Sequence, residues 1–362
     1  MKRHLISAAV LVAASSGAFA QSSVTIFGTV DATVQHGSGS VSSVNRLGTG
    51  NLSSGKLGFR GVEALGGGLK AGFWLEGSVL TDSGVGGGSN TNNQASGTSA
   101  AVGGGQGLTF ARRSTVSIGG DWGELRLGRD YTPVFVNQPL YDPFGNVGVG
   151  NSLTQNSSLG GLTSVRASNS VAYLYGHSFN GTQVGTSGPN FLAMYYMGEN
   201  ASNAPAGTAK DGRGYSLRAG YIAGALDVGV AASSTKYAAG DVGQFNVGGS
   251  YDFRVAKAMA LYARDRVSRG ATGAAYLVGA VVPKGSGEVH LAYSRYKTDA
   301  AGSPASAKFA LGYVHNLSKR TALYATVARV GNSGPVAQAL NGSVTAAGQS
   351  SSGYDLGMRH NF

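Results

Sequence analysis

Basic residues recur at strand-like spacing through the first half of this chain. In 54–62, Leu57, Phe59 and Gly61 share one parity, while Lys56, Gly58 and Arg60 share the other. In 113–118, Val116 and Ile118 put Arg113 on the opposite side with Thr115 and Ser117; a bulge would exchange it for Arg112, so both are candidates. In 124–129, Leu125 and Leu127 leave Glu124 and Arg126 on the polar side, and in 165–171, Val165 and Val171 set Arg166 opposite them with Ser168. An extended strand turns successive side chains to opposite faces, so cations from four strands converge on one wall. A wall of this kind attracts and orders anions but supplies no nucleophile or base. The connection 131–165 holds Pro139-Leu-Tyr-Asp142-Pro143-Phe144-Gly145, with Asp130 at its root. Folded inward, it would set Asp142 against the basic wall and create a transverse field across a constriction. Asp-Pro is also a common turn pair, and on chemistry alone an ordinary surface loop is the plainer reading.

Hydrolytic chemistry finds little support. His36, His177, His290, His315 and His360 are scattered over strand ends and connections, none in a Gly-x-Ser-x-Gly context and no two at metal-ligand spacing. Catalysis of that kind needs a nucleophile or activated water beside a base. A hydrolase is therefore disfavoured, and the sequence assigns no catalytic residue, cofactor or metal.

The elements that must position these cations are strands. The last nine residues, Tyr354 to Phe362, carry Tyr354, Leu356, Met358 and Phe362 on one face and Asp355, Arg359 and Asn361 on the other. A chain ending this way suits a strand between lipid and water, or the edge of a soluble sandwich. Alternating segments recur at 23–35, 54–64, 68–79, 110–120, 123–130, 166–176, 189–198, 213–222, 225–235, 243–253, 256–267, 271–282, 285–297, 306–316, 320–330 and 352–362. Sixteen is an even count, and the segments have the length of tilted membrane strands. Tight turns at 65–67, 121–122, 223–224, 255, 283–284 and 317–319 alternate with long stretches at 36–53, 80–109, 131–165, 199–212 and 331–351. The connector 177–188 is longer than that alternation wants and 268–270 is shorter. Trp74, Tyr173, Tyr175, Tyr195, Tyr196, Tyr221, Tyr251, Tyr293, Tyr313 and Tyr354 are candidates for aromatic girdles at the two interfaces. In this setting a charge at the lipid midplane costs about 2–4 kcal/mol, which favours a lumenal position for each wall cation over an interfacial one.

The amino end supplies the compartment. Lys2 and Arg3 precede an apolar run from Leu5 to Ala14, and Ala18-Phe19-Ala20 forms a small-x-small cleavage site. Residues 1–20 read as a secretory signal peptide, leaving 21–362 as one barrel domain. Excluding Lys2 and Arg3 leaves 26 basic against 17 acidic residues, a net charge of +9. No stretch after Ala20 has the roughly 20 consecutive apolar residues of a membrane helix, so a membrane would be crossed by strands. There is no cysteine, while Gly reaches 60 of 362 residues and charged residues are 12%. The 80–109 stretch is low-complexity and polar, a surface-loop composition. No constant short period marks a solenoid. The positive charge lacks the basic run or aromatic-interleaved patch of a nucleic-acid binder and is better assigned to lumen and headgroup contacts. Cations in the surface loops would draw the chain to anionic lipopolysaccharide.

Several stretches resemble the Gram-negative trimeric general porins, especially their beta-proteobacterial branch, and together they cover the whole chain. Val24-Thr-Ile-Phe-Gly-Thr-Val-Asp31 resembles the family's first strand, and Lys56-Leu-Gly-Phe-Arg-Gly61 with Glu63-Ala-Leu-Gly-Gly-Gly-Leu-Lys-Ala71 resembles the hairpin that follows. Gly119-Gly-Asp-Trp-Gly123 through Leu127-Gly-Arg-Asp-Tyr-Thr-Pro133 is similar to the approach to the third loop, and Arg166 to Tyr173 to the strand after it. The resemblance implies an all-β, sixteen-stranded antiparallel transmembrane barrel, assembled as a homotrimer in the bacterial outer membrane, with the third loop folded inward as an eyelet. It implies the basic-wall role for Lys56, Arg113 or Arg112, Arg126 and Arg166, to which parity adds Arg60. It gives Asp142 the acidic loop role and makes terminal Phe362, with Tyr354, the assembly signal. The family usually places more than one carboxylate in that loop, whereas 137–165 has only Asp142. The expected activity is passive diffusion of small hydrophilic solutes and ions with an anion preference. The alternative is a channel tuned to a phosphate, a sugar or an organic acid.

Overall fold

The computed structural model describes residues 23–90, 92–95, 107–154, 159, 161–205 and 207–362. The expected signal peptide, 1–20, and part of the low-complexity stretch lie outside the described residues. The first part of the chain forms β1 (Ser23–Gly39), β2 (Ser43–Thr49), β3 (Lys56–Gly66), β4 (Leu69–Ser78), β5 (Arg113–Gly120) and β6 (Gly123–Tyr131), followed by the short helix α1 (Pro133–Leu140). The middle forms β7 (Arg166–Tyr175), β8 (Gly188–Tyr196), β9 (Gly214–Ala223), β10 (Leu226–Thr235), β11 (Val242–Asp252) and β12 (Lys257–Val267). The last part forms β13 (Thr272–Lys284), β14 (Gly287–Thr298), β15 (Ala305–Asn316), β16 (Thr321–Ser333) and β17 (Ser351–Asn361).

All pairings are antiparallel between neighbours, and β17 returns to β1 with Asn361 opposite Thr29, so the sheet closes on itself. Closure removes the edges that an open sheet would leave unpaired in lipid. Seventeen segments make sixteen barrel positions, because β2 and β3 share one. β1 pairs with β3 over Ser23–Thr29 and with β2 over Ala32–Ser38. The interruption at 50–55 turns inward, where the Asp31 carboxylate accepts the Leu52 and Ser53 amides at 2.9 and 2.7 Å. Sixteen strands were expected, and their bounds agree within three residues except in 36–53. That stretch reads as a loop from its Gly and Ser content, yet Val34 lies opposite Leu47 and most of it is sheet.

Both faces follow the period of two. Val24, Ile26, Val30 and Val34 are exposed on the outside of β1, while Thr29, Asp31, Thr33 and Gln35 are buried inside. Tyr173, Tyr175, Tyr195, Tyr221, Tyr251, Tyr293, Tyr313 and Tyr354 are likewise exposed on the outside. Trp74 and Tyr196 depart from the girdle expectation. Both are buried inside, Trp74 beside Phe27 and Tyr196 with its hydroxyl 2.7 Å from Thr235 Oγ1. Trp74 has the parity of Glu76, opposite Phe73 and Leu75, and in the Tyr195-Tyr196 pair only one ring can face out.

One end of the barrel has the short connections 67–68, 121–122, 224–225, 253–256, 285–286 and 317–320, and the other has the long ones. The two irregular connectors keep their lengths. Residues 268–271 form a tight turn at the loop end, and 176–187, at the turn end, form a hairpin folded into the barrel.

Candidate functional site

The lumen is shaped by two facing surfaces. The first is the third loop, whose described residues 132–154 cross the interior and are fastened along the wall from β9 to β17. Pro133 starts α1, where a missing N–H costs nothing. The Val134 amide donates to Ser216 Oγ at 3.0 Å, and Asn137 and Val134 both bond Asn246. The Tyr141 hydroxyl donates to Asp227 at 2.9 Å, and the Leu153 amide to Ser294 Oγ at 3.0 Å. Lys308 Nζ donates to Asn151 Oδ1 at 2.6 Å, and the Val149 amide to Asp355 at 2.8 Å. The surface-loop alternative is thereby excluded, because a loop bonded to β9, β10, β11, β14, β15 and β17 lies inside the barrel.

The second surface is on β3 to β7, and it brings the predicted cations together. Arg60 is exposed to the lumen and lies over the rings of Phe27 and Trp74, at 5.4 and 5.0 Å from their centroids. Arg113 lies 4.5 Å from the centroid of the same indole. Both Arg112 and Arg113 reach the wall. Arg112 Nε is 2.6 Å from Glu76 Oε1, and Arg113 Nε is 3.4 Å from Asp130 Oδ2. Arg126 is held between Glu124 at 2.9 Å and Asp130 at 2.7 Å. Arg166 stacks on Tyr131 at 4.3 Å, donating to its hydroxyl at 2.8 Å and to the Arg112 carbonyl at 2.8 Å. A bulge between β6 and β7, with Asn169 at φ +54, interrupts the parity count there. Arg166 reaches the wall because Tyr131, at the end of β6, leans over it. Lys56 shares the inner face with Thr29, its partner on β1.

Charge is not evenly balanced across this wall. Arg112, Arg113 and Arg126 have carboxylate partners. Among the described residues no carboxylate lies within 4.0 Å of Lys56, Arg60 or Arg166. Asp142 is buried within the loop, where Oδ1 accepts the Phe144 amide and Oδ2 the Ser152 amide, each at 2.8 Å. Burial raises its carboxyl above the usual range, and those amides and Lys308 pull it back. Glu76, Trp74 and Tyr131 were not anticipated at the site, although the parity that exposed Lys56 and Arg60 also places Trp74 and Glu76 on the inner face. Arg129, which bonds the Ala111 carbonyl, Asn90 and Ser168, carried no such signal.

A closed sixteen-position barrel with an inward third loop and a basic wall is a porin architecture. A family model described as Gram-negative porin matches residues 7–335. The chain belongs to the Gram-negative porin family. As a porin it is an outer-membrane channel protein. It is similar to outer membrane porin protein 32 of Delftia acidovorans, with 37% identity over 382 residues and complete coverage of both chains. Among solved structures it is similar to an anion-selective porin from Comamonas acidovorans, with 34% identity, a TM-score of 0.78, and 94% and 100% of the two chains covered. OmpT of Vibrio cholerae in a trimer form shares the fold at 14% identity, with a TM-score of 0.63 and 94% and 99% covered. In a porin both termini and the short turns face the periplasm. The last residue of this porin closes that rim, with its amide and carbonyl bonded to Gly28 at 3.1 and 3.0 Å.

Proposed function

We propose that this porin conducts small hydrophilic solutes and ions passively, prefers anions, and works as a homotrimer bordered by lipopolysaccharide. The observation that carries the reading is the unpaired charge of Lys56, Arg60 and Arg166 across the lumen from a loop whose single acid is turned inward on its own backbone. A cleft lined by one sign of charge concentrates the opposite ion, and charged rings at a constriction set selectivity. The similarity to a porin described as anion-selective supports the same direction, and the family supports the trimer.

Planar-bilayer recordings under a potassium chloride gradient test it. Steps in threes and a chloride-leaning reversal potential are expected. Arg60→Ser should lower the chloride-to-potassium permeability ratio by up to about 16-fold, since one charge at ~5 Å in a water-like medium is worth about 0.8 kcal/mol, about fourfold, for each ion and with opposite sign for chloride and potassium. Glu76→Gln should raise the ratio by freeing Arg112. An unmoved reversal potential in both variants would remove this wall from ion selection.

A further inference from the structure

The periplasmic connector 176–187 is too long for a turn, and it does not hang into the periplasm. Gly176 and Gly188 mark its ends with φ of +68 and +81, a left-handed backbone that other residues adopt only with strain. Between them the chain doubles back. His177 pairs with Val184, the Ser178 amide donates to the Gln183 carbonyl at 3.2 Å, and the Gly181 amide to the Ser178 carbonyl at 2.9 Å. The tip lies on the inner face of β3 to β6. Asn180 Nδ2 donates to the Gly61 and Phe73 carbonyls at 3.1 and 2.9 Å, and the Asn180 amide donates to Glu124 at 2.8 Å. A Cβ on Gly72 would come within 2.9 Å of Asn180, and one on Gly119 within 2.9 Å of Phe179.

This tip also covers two of the wall's cations. Arg113 donates to Asn180 Oδ1 and to the Gly181 carbonyl, each at 3.2 Å, and Arg126 donates to the Gly181 carbonyl at 3.0 Å. Both guanidiniums are nearly sealed, at 2% and 5% exposure, whereas Arg60 is open. Beside the tip remains a cavity of about 500 Å³, lined by Arg60, Trp74, Thr25, Ser178, Thr182 and Gln183. Asn180 is buried, and its backbone amide, side-chain oxygen and side-chain nitrogen are all hydrogen-bonded, which fixes the tip against the wall.

We propose that the 176–187 hairpin is a second restriction of the pore, below the third loop, and that Asn180 is a positioning residue that withdraws Arg113 and Arg126 from passing ions. The path then runs between the hairpin and Arg60, and the hairpin decides which of the wall's cations a permeant ion meets. The inference rests on passive conduction through this lumen, as proposed above.

The test uses the full chain in planar bilayers. Replacing 177–187 by a two-residue turn should raise single-channel conductance and raise chloride preference, because Arg113 and Arg126 lose their cover. Asn180→Ala should move both in the same direction by less. The chain has no cysteine, so Thr182→Cys supplies a single thiol in a protein with the hairpin intact. A bulky, membrane-impermeant thiol reagent should then cut the open-channel current by about half or more. Folded variants with unchanged conductance and reversal potential, or a Thr182→Cys channel that conducts undiminished after complete labelling, would overturn the hairpin's role and leave passive conduction standing. A folded wild-type protein that passes no current would overturn both.

Discussion

At the residue scale, side chains that look alike in the sequence do different work. Arg60 and Arg113 lie against the same indole, yet one faces open lumen and the other is sealed beneath a hairpin. Their difference is one of carboxylate and carbonyl partners, and those come from β6 and from the 176–187 hairpin. The terminal residue has an equally specific neighbour. A Cβ at Gly28 would fall 2.3 Å from Phe362 Cζ and 2.7 Å from the Lys56 carbonyl, so the ring lies where only glycine leaves room. Gly28→Val is expected to destabilise the barrel by about 1–3 kcal/mol through this overpacking. Thermal unfolding in detergent reads the loss, and Phe362→Ala in the same chain should recover part of it. An unchanged midpoint for Gly28→Val would show that the ring is not seated there.

At the scale of elements, two long inward segments narrow the lumen together with the short interruption at 50–55. The third loop is bonded along β9 to β17, the periplasmic hairpin along β3 to β6 and the interruption to Asp31 on β1, so the pore is what remains among them. The hairpin carries a pH-sensitive group. Burial first, then Arg218 and Arg126, push His177 down to about 4 from its ordinary value near 6.5. Glu124 and Asp130 on β6, Lys70 on β4 and Asp121 in the adjoining turn are the other charged groups in its surroundings. Between those two values the unfolded chain takes up a proton that the folded chain refuses, so stability is full above pH about 6.5 and falls as pH drops towards 4. Denaturant titrations of the wild type from pH 7 to pH 4 should show the decline, and His177→Gln should flatten part of it. Parallel pH dependence in the two proteins would rule out His177 as its source.

For the whole molecule, the proposed conduction and anion preference rest on a closed sheet with a basic wall on its inner face. The barrel satisfies the backbone within itself and shows lipid a face of Val, Leu, Ile and aromatic side chains. The net charge, +11 for the whole sequence, is fixed, and its reach is set by salt. The screening length shrinks from about 10 Å at 0.1 M to about 3 Å at 1 M. The chloride-to-potassium permeability ratio is therefore expected to fall steeply over that range. A ratio independent of salt would assign ion preference to pore size instead of fixed charge.

The sequence by itself determined the barrel. Alternation in segments such as 23–35 and 352–362, short turns against long loops, and a terminal aromatic strand require few long-range facts, because a period of two assigns each side chain to lipid or lumen locally. The same rule placed Lys56, Arg60, Arg113 and Arg126 on one inner wall. It could not settle Arg112 against Arg113, carry a count across the bulge at Asn169, or tell that Trp74 and Tyr196 turn inward when aromatic content suggests a girdle. It read 36–53 as a loop, because glycine and serine hide a strand whose pairing comes from β1. Only the tertiary structure decided that Asp142 is bonded inside its own loop, that Glu76, Glu124 and Asp130 pair with three of the arginines, and that the connector 176–187 enters the pore. Each of these depends on contacts between residues far apart in the chain, and parity carries no information about which groups meet across a lumen.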